Sequence, residues 1–208
     1  MKYFVPFLFV TLCFPLYVRG ACPEKDAASS KCAVSINHPL GAIKKFRAYV
    51  SSHVKKGMNE KAVASFGTTM EQYFHFDLMA QGAMHKHWST LTADQQKEFR
   101  TLFSRMLKKS YLKKLVKHEK FKVITKGQKI KGDKARVQTM LIKIGGSDED
   151  NIDVVYKMVK VGKSWKVYDV LTDEVSLVRN YRSTYAGLMK KGGTSSLFAH
   201  LKSVIQKP

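Results

Sequence analysis

The chain predicts a segregated α+β fold, with helices and strands in separate stretches, and three observations carry that expectation. Apolar residues recur at three- and four-residue steps from Pro39 to about Lys117. They alternate from about Glu119 to Leu171, then return to helical spacing from about Glu174 to the end. Turn signals at Gly132-Asp133, Gly145-Gly146 and Gly162-Lys163 divide the alternating stretch into about four strands, with connections short enough for antiparallel neighbours. No internal repeat, low-complexity tract or linker splits the chain, so residues 21–208 read as one domain.

Residues 1–20 read as a secretory leader: Lys2, an apolar run from Phe4 to Val18, and Gly20 just before Ala21, where cleavage is expected. Pro6 and Pro15 interrupt the run, and it falls short of the roughly 20 residues of a membrane-spanning helix. The expected product is an exported, soluble domain. Cys13 departs with the leader, which leaves Cys22 and Cys32 as an even pair in an oxidising compartment and predicts a local disulfide between them. Such a bridge contributes roughly 2–3 kcal/mol in the chain-entropy model and ties down the N-terminal arm. Lipid attachment at Cys22 is the other reading, and Arg19 stands where such a site takes an aliphatic residue.

The first helix is expected to bury Leu40, Ile43, Phe46, Val50 and Val54 and to end near Gly57. The longest helix starts at Thr92, with Gln95 completing a capping box. Phe99, Leu102, Phe103, Met106, Leu107, Tyr111 and Leu115 form its apolar stripe, while Lys97, Arg100, Arg105, Lys108, Lys109, Lys113 and Lys114 fill most of the rest. The strands run from about Phe121 to Thr125, Ala135 to Ile144, Ile152 to Val161 and Trp165 to Leu171. Alternation puts Met140, Ile142 and Ile144 on one face of the second strand and Val137 and Leu141 on the other, more apolar surface than a one-sided sheet needs. The last helical stretch carries Val178, Tyr181, Tyr185, Leu188 and Met189, stops at Gly192-Gly193, and is followed by Leu197, Leu201 and Val204.

The formal charge is +21, and loss of Lys2 and Arg19 with the leader leaves +19 on the exported protein. In a chain retained in the cytosol, a pI near 9.9 would point to nucleic acid. Export removes that partner and leaves anionic lipid head groups and membrane surfaces. Catalytic signals are sparse. His85 and His87, two apart, point to different sides of a helix; His75 lacks an acidic partner at a metal-ligand step, so no metal is expected. The sequence contains no Gly-x-Ser-x-Gly, no Walker pattern and no cysteine in a setting that would lower its pKa. Asp169 and Asp173 are the acid–base pair that a cavity enzyme would use. The simpler expectation puts Asp169 at an exposed strand end and makes Asp173 the cap of the following helix.

Two blocks of sequence narrow the function. Trp165-Lys166-Val167-Tyr168-Asp169-Val170 is followed by Val175-Ser176-Leu177-Val178-Arg179-Asn180-Tyr181-Arg182. Upstream, Phe76-Asp77-Leu78-Met79-Ala80 leads to Trp88-Ser89-Thr90-Leu91-Thr92-Ala93-Asp94-Gln95-Gln96-Lys97-Glu98-Phe99. These blocks resemble the MlaC family, periplasmic phospholipid-binding proteins also known from toluene-tolerance systems, and the resemblance spans Phe74 to Leu201. Glu174 departs from it, standing where the family usually has Gly.

The resemblance implies a strongly curved antiparallel sheet wrapped by helices, with an apolar lipid cavity between them. It also implies a carrier in a Gram-negative periplasm that shuttles phospholipid between an inner-membrane ABC transporter complex and an outer-membrane lipoprotein complex, maintaining outer-membrane lipid asymmetry. No catalysis, cofactor or nucleic acid is expected, and the protein is expected to be a monomer that meets the membrane complexes transiently. The lipid-contacting residues expected on this basis are Phe99, Phe103, Met106, Leu107, Tyr111, Met140, Ile142, Val155, Val170, Val175, Leu177, Tyr181 and Tyr185. Hiding acyl tails, at about 0.8 kcal/mol per methylene, calls for a cavity toward or beyond the roughly 300–1,000 Å³ of ordinary ligand pockets. Tyr181 or Tyr185 at the rim would keep its ring on lipid and its hydroxyl in water. Rival readings are a carrier of another, hopanoid-like lipid and a secreted enzyme with a cone-shaped cavity.

Overall fold

The computed structural model describes residues 37–54, 60–117 and 121–206. The leader, Cys22, Cys32 and Gly57 lie outside these residues. Four helices come first: α1 (Pro39–Val54), α2 (Glu60–Tyr73), α3 (Phe76–Met84) and α4 (Ala93–Lys117), with a 3-10 turn over His85–Thr90 between the last two. The strands β1 (Phe121–Lys131), β2 (Lys134–Lys143), β3 (Ile152–Val161), β4 (Ser164–Thr172) and β5 (Val175–Ser176) follow, and α5 (Leu177–Gln206) ends the chain. The fold is α+β, and its open antiparallel sheet has the order β1-β2-β3-β4-β5.

Local chemistry sets these boundaries. The amide of Gln95 donates to Thr92 Oγ1 at 3.2 Å and the amide of Thr92 donates to Gln95 Oε1 at 3.0 Å, so the predicted capping box starts α4. Gly132 and Gly162, both at φ 58°, turn the β1–β2 and β3–β4 hairpins in two residues each, a conformation that a side chain would resist. Sequence alternation ends β1 near Thr125, whereas the strand continues to Lys131 because a bulge between Thr125 and Gly127 absorbs one residue and lets pairing resume. The fifth strand, two residues long, was hidden in the corner that precedes the last helix. Within α5, Gly192 (φ −160°) and Gly193 (φ 61°) break the helix where the Gly pair predicts a stop.

A second bulge matters more. Met158 pairs with Val167 but Lys157 pairs with Asp169, so Tyr168 is an extra residue in β4. The inserted residue reverses the alternation: Trp165 and Val167 point inward, and after the bulge Val170 does. Asp169 is thereby turned to the other face. It is buried there rather than lying at an exposed strand end. Its carboxylate accepts from Ser176 Oγ at 2.8 Å, from the Val178 amide at 3.2 Å and from Lys157 Nζ at 3.3 Å. Ser176, and not Asp173, therefore caps α5, its Oγ accepting from the Arg179 amide at 3.1 Å while Asp169 accepts from the Val178 amide beside it; Asp173 accepts from the Asp153 amide instead, at 3.0 Å.

The helices cover the inner face of the sheet. Phe46 of α1 sits at the centre of an aromatic cluster with Phe66, Tyr73, Phe74 and Tyr111, at ring separations of 5.2–6.5 Å. α3 lies directly on α5: a Cβ at Gly82 would stand 2.8 Å from Val178 Cγ1, and Arg182 Nε donates to the Gly82 carbonyl at 3.0 Å.

Candidate functional site

Between α4 and the inner face of the sheet the core does not close. A cavity of about 380 Å³ remains, inside the size range of ligand pockets and near its lower end. Leu107, Ser110 and Tyr111 of α4 form one wall, and Leu141, Ile152, Val154, Tyr156, Val170 and Thr172 of the sheet form the opposite one. Met70, Phe74, Phe76 and Met79 close it from α2, α3 and the residues between them, while Leu177 and Tyr181 close it from α5. Thr172 is exposed and still lines the cavity, which puts the opening at the β4–β5 end. The walls are apolar with a few hydroxyls, a surface that excludes water from hydrocarbon without fixing its shape.

Those hydroxyls fall into two groups. Near α5, Tyr181 hydrogen-bonds Ser110, and burial raises the Tyr181 phenol above its ordinary pKa while that bond opposes the rise. Farther in, Tyr111 of α4 and Tyr156 of β3 meet across the cavity and hydrogen-bond each other, with Thr139 beside Tyr156. Burial pushes the Tyr111 phenol well above its ordinary pKa, and that of Tyr156 upward too, so both stay protonated donors. The half-buried Arg47 of α1 acts on both phenols.

Five of the residues expected from sequence stand on the cavity wall: Leu107, Tyr111, Val170, Leu177 and Tyr181. The others stand elsewhere. Phe99, Phe103, Met106 and Tyr185 are packed in the core, where Tyr185 is fully buried beneath Phe99 and Phe103 and donates to Met106 Sδ at 3.7 Å instead of reaching a rim. Phe99, Phe103 and Met106 share the α4 stripe with Leu107 and Tyr111, but the α3 and α5 side of that stripe is filled by side chains, Tyr185 of α5 among them. Met140, Ile142 and Val155 are on the outer face of the sheet, alternating with the wall residues Leu141, Val154 and Tyr156. Val175 is 58% exposed beside the opening, paired with Thr172. Sequence reasoning missed Met70, Phe74, Phe76, Met79, Ser110, Leu141, Ile152, Val154, Tyr156 and Thr172. Only the strand residues among them left a signal, as the inward half of an alternation whose two halves are equally apolar.

Asp169 faces away from the cavity, and Asp169 and Asp173 are both engaged in structural hydrogen bonds. His75 caps α3 by accepting from the Leu78 amide at 3.4 Å. Among the described residues no three His, Cys, Asp or Glu side chains gather as metal ligands, and no helix is long and apolar enough to cross a membrane.

Residues 43–203 match the family model described as MlaC protein. A curated relative from Haemophilus influenzae, the intermembrane phospholipid transport system binding protein MlaC, is 21% identical over 138 residues. The match covers 65% of this chain and 64% of that protein. Among solved structures, a phospholipid-binding protein from Ralstonia solanacearum, determined in complex with a phospholipid, superposes with a TM-score of 0.65 at 21% identity. That superposition covers 79% of this chain and 94% of the other, and it shows a shared fold.

Proposed function

The chain belongs to the MlaC family, and on that premise we propose that it is a periplasmic carrier that takes phospholipid tails into its cavity and shuttles the lipid between membranes. Its partners in this reading are an inner-membrane ABC-type lipid transporter complex and an outer-membrane lipoprotein complex, and the traffic maintains outer-membrane lipid asymmetry. The observation that carries the proposal is the apolar cavity between α4 and the sheet, open beside Thr172. Each methylene drawn from water into such a cavity contributes about 0.8 kcal/mol, and a charged head group is better left in solvent at the opening. The enzyme reading has less support, because the two aspartates that would serve it point away from the cavity or are already engaged in the fold.

Native mass spectrometry of the exported protein, purified without detergent, tests the carrier. The expected result is a bound diacyl phospholipid. Folded protein that carries no lipid and accepts none from anionic vesicles would overturn the reading, and a polycyclic mass in place of the phospholipid would change the cargo class.

A further inference from the structure

We propose that the outer face of the sheet, at the end formed by its two hairpin turns, docks on the phosphates of an anionic lipid bilayer and holds the protein there with its cavity mouth off the surface. The inference rests on the reading of an exported carrier and adds a membrane contact separate from the lipid cavity.

Register comes first. Lys129 of β1 pairs with Arg136 of β2, and Arg136 pairs with Lys157 of β3, so three cations stand side by side across three strands. Two residues further along, Lys131 pairs with Lys134, and Lys134 with Val159. The residues between these positions, Ala135 and Val137, are buried on the inner face. Directly opposed side chains on one face are about 5 Å apart, and like charges so placed repel. Lys157 is answered by Asp169 at 3.3 Å. Lys129, Lys131, Lys134 and Arg136 are exposed and make no ion pair among the described residues. Lysine on an edge strand guards against pairing with another chain, which would account for β1 alone. Lys134 and Arg136 belong to β2, which is paired on both sides.

The surroundings select the partner. Val159 and Val161 alternate onto the same face, Val161 40% exposed, and cations interleaved with apolar side chains suit the head-group layer of a bilayer. The four free cations are spread over the face rather than gathered round one point, an arrangement that a layer of phosphates neutralises together. The opposite end of the sheet has the reverse character. Asp148, Glu149, Asp150, Asp153, Asp173 and Glu174 lie in or beside the β2–β3 and β4–β5 connections, where Thr172 marks the opening. They outnumber the cations of that end, Lys122, Lys126, Lys143 and Arg179. An anionic surface therefore draws in the hairpin end and repels the mouth.

Lipid-loaded protein is floated with phosphatidylcholine vesicles and with vesicles that also contain phosphatidylglycerol, and its lipid content is read by native mass spectrometry before and after. Binding is expected only with phosphatidylglycerol, weakening as salt shortens the Debye length, with the bound lipid retained. Lys129→Glu combined with Arg136→Glu should weaken it on the order of tenfold or more, and Lys129→Gln with Arg136→Gln by a smaller factor. Lys97→Glu with Lys191→Glu, the same change of charge at exposed positions of α4 and α5, should cost much less. Equal losses from the two reversal pairs, or no preference for phosphatidylglycerol, overturns the docking face and leaves the carrier reading standing. Emptying of the protein on binding would put the mouth against the bilayer and overturn the proposed orientation. A single-stranded oligonucleotide bound more tightly than the vesicles, and lost with the Lys129 and Arg136 reversals, assigns the face to nucleic acid and overturns the membrane reading. Protein that is purified empty of lipid yet docks through this face supports the docking surface and overturns the carrier reading alone.

Discussion

Asp169 commits both carboxylate oxygens to the fold: it supports the start of α5, ties β5 to β4 and partners the half-buried ammonium of Lys157. Asp169→Asn keeps the shape but removes the charge, leaving Lys157 facing an amide. We expect a loss of about 2–3 kcal/mol, read as a lower urea midpoint at unchanged slope, with lipid content unaltered in the protein that remains folded. His38 offers a pH test. Gln128 Oε1 accepts from the Leu40 amide at 3.1 Å, which turns the Gln128 amide nitrogen toward His38 Nε2 at 2.8 Å and makes that ring nitrogen the acceptor. Nδ1 is buried with no hydrogen-bond partner among the described residues. Burial lowers the His38 pKa from its ordinary 6.5, so protonation favours the unfolded chain. Its contribution to stability is thus present above 6.5 and lost as pH falls through the lower folded value. The urea midpoint should decline as pH falls from 6.5 toward that lower value and level off beneath it, and His38→Leu should flatten the decline.

At the scale of elements, the α3–α5 contact depends on a missing side chain. Gly82→Ala would place a methyl group 2.8 Å from Val178 Cγ1, and the overpacking should outweigh the gain in helix propensity. A net loss of about 1–2 kcal/mol is expected, smaller when measured in a Val178→Ala background; equal costs in both backgrounds would show that the two residues do not compete for space. The sequence made the elements legible wherever one periodicity held without interruption, as in α4 from its Thr92 cap. It misled wherever one residue was inserted. The bulges at Lys126 and Tyr168 shift the phase of alternation, and nothing in the local spelling marks them, because a bulge is decided by pairing with the neighbouring strand. The cavity was half legible for a related reason. Leu107 and Phe103 belong to one apolar stripe, and only the arrival of α5 against one side of it decides which becomes wall and which becomes core.

At the scale of the whole molecule, a formal charge of +21 must be divided between work inside the fold and work at the surface. Lys108 pairs with Glu71 and lies over the Phe76 ring, and Lys109 donates to the Ile205 carbonyl, so neither is a free steering charge. Arg179, exposed near the opening, is the better candidate. Arg179→Glu should slow lipid delivery between anionic vesicles several-fold at low salt, with the deficit fading as salt shortens the Debye length from about 10 Å at 0.1 M to about 3 Å at 1 M, and bound lipid unchanged. Leu107→Gln, on the cavity wall, should do the reverse and deplete bound lipid without changing the salt dependence. Strand order carries a consequence of its own. Since each of the five strands pairs with its neighbour in the chain, each step of sheet assembly closes a short loop, whereas α1 must find β1, β2 and β4 across most of the polypeptide. The hairpins should therefore gain hydrogen-exchange protection first and α1 last during refolding. The newly delivered polypeptide would then pass through a stage in which the sheet exists but its inner face is bare, the moment at which it is most exposed to aggregation and has most to gain from a chaperone or an early lipid.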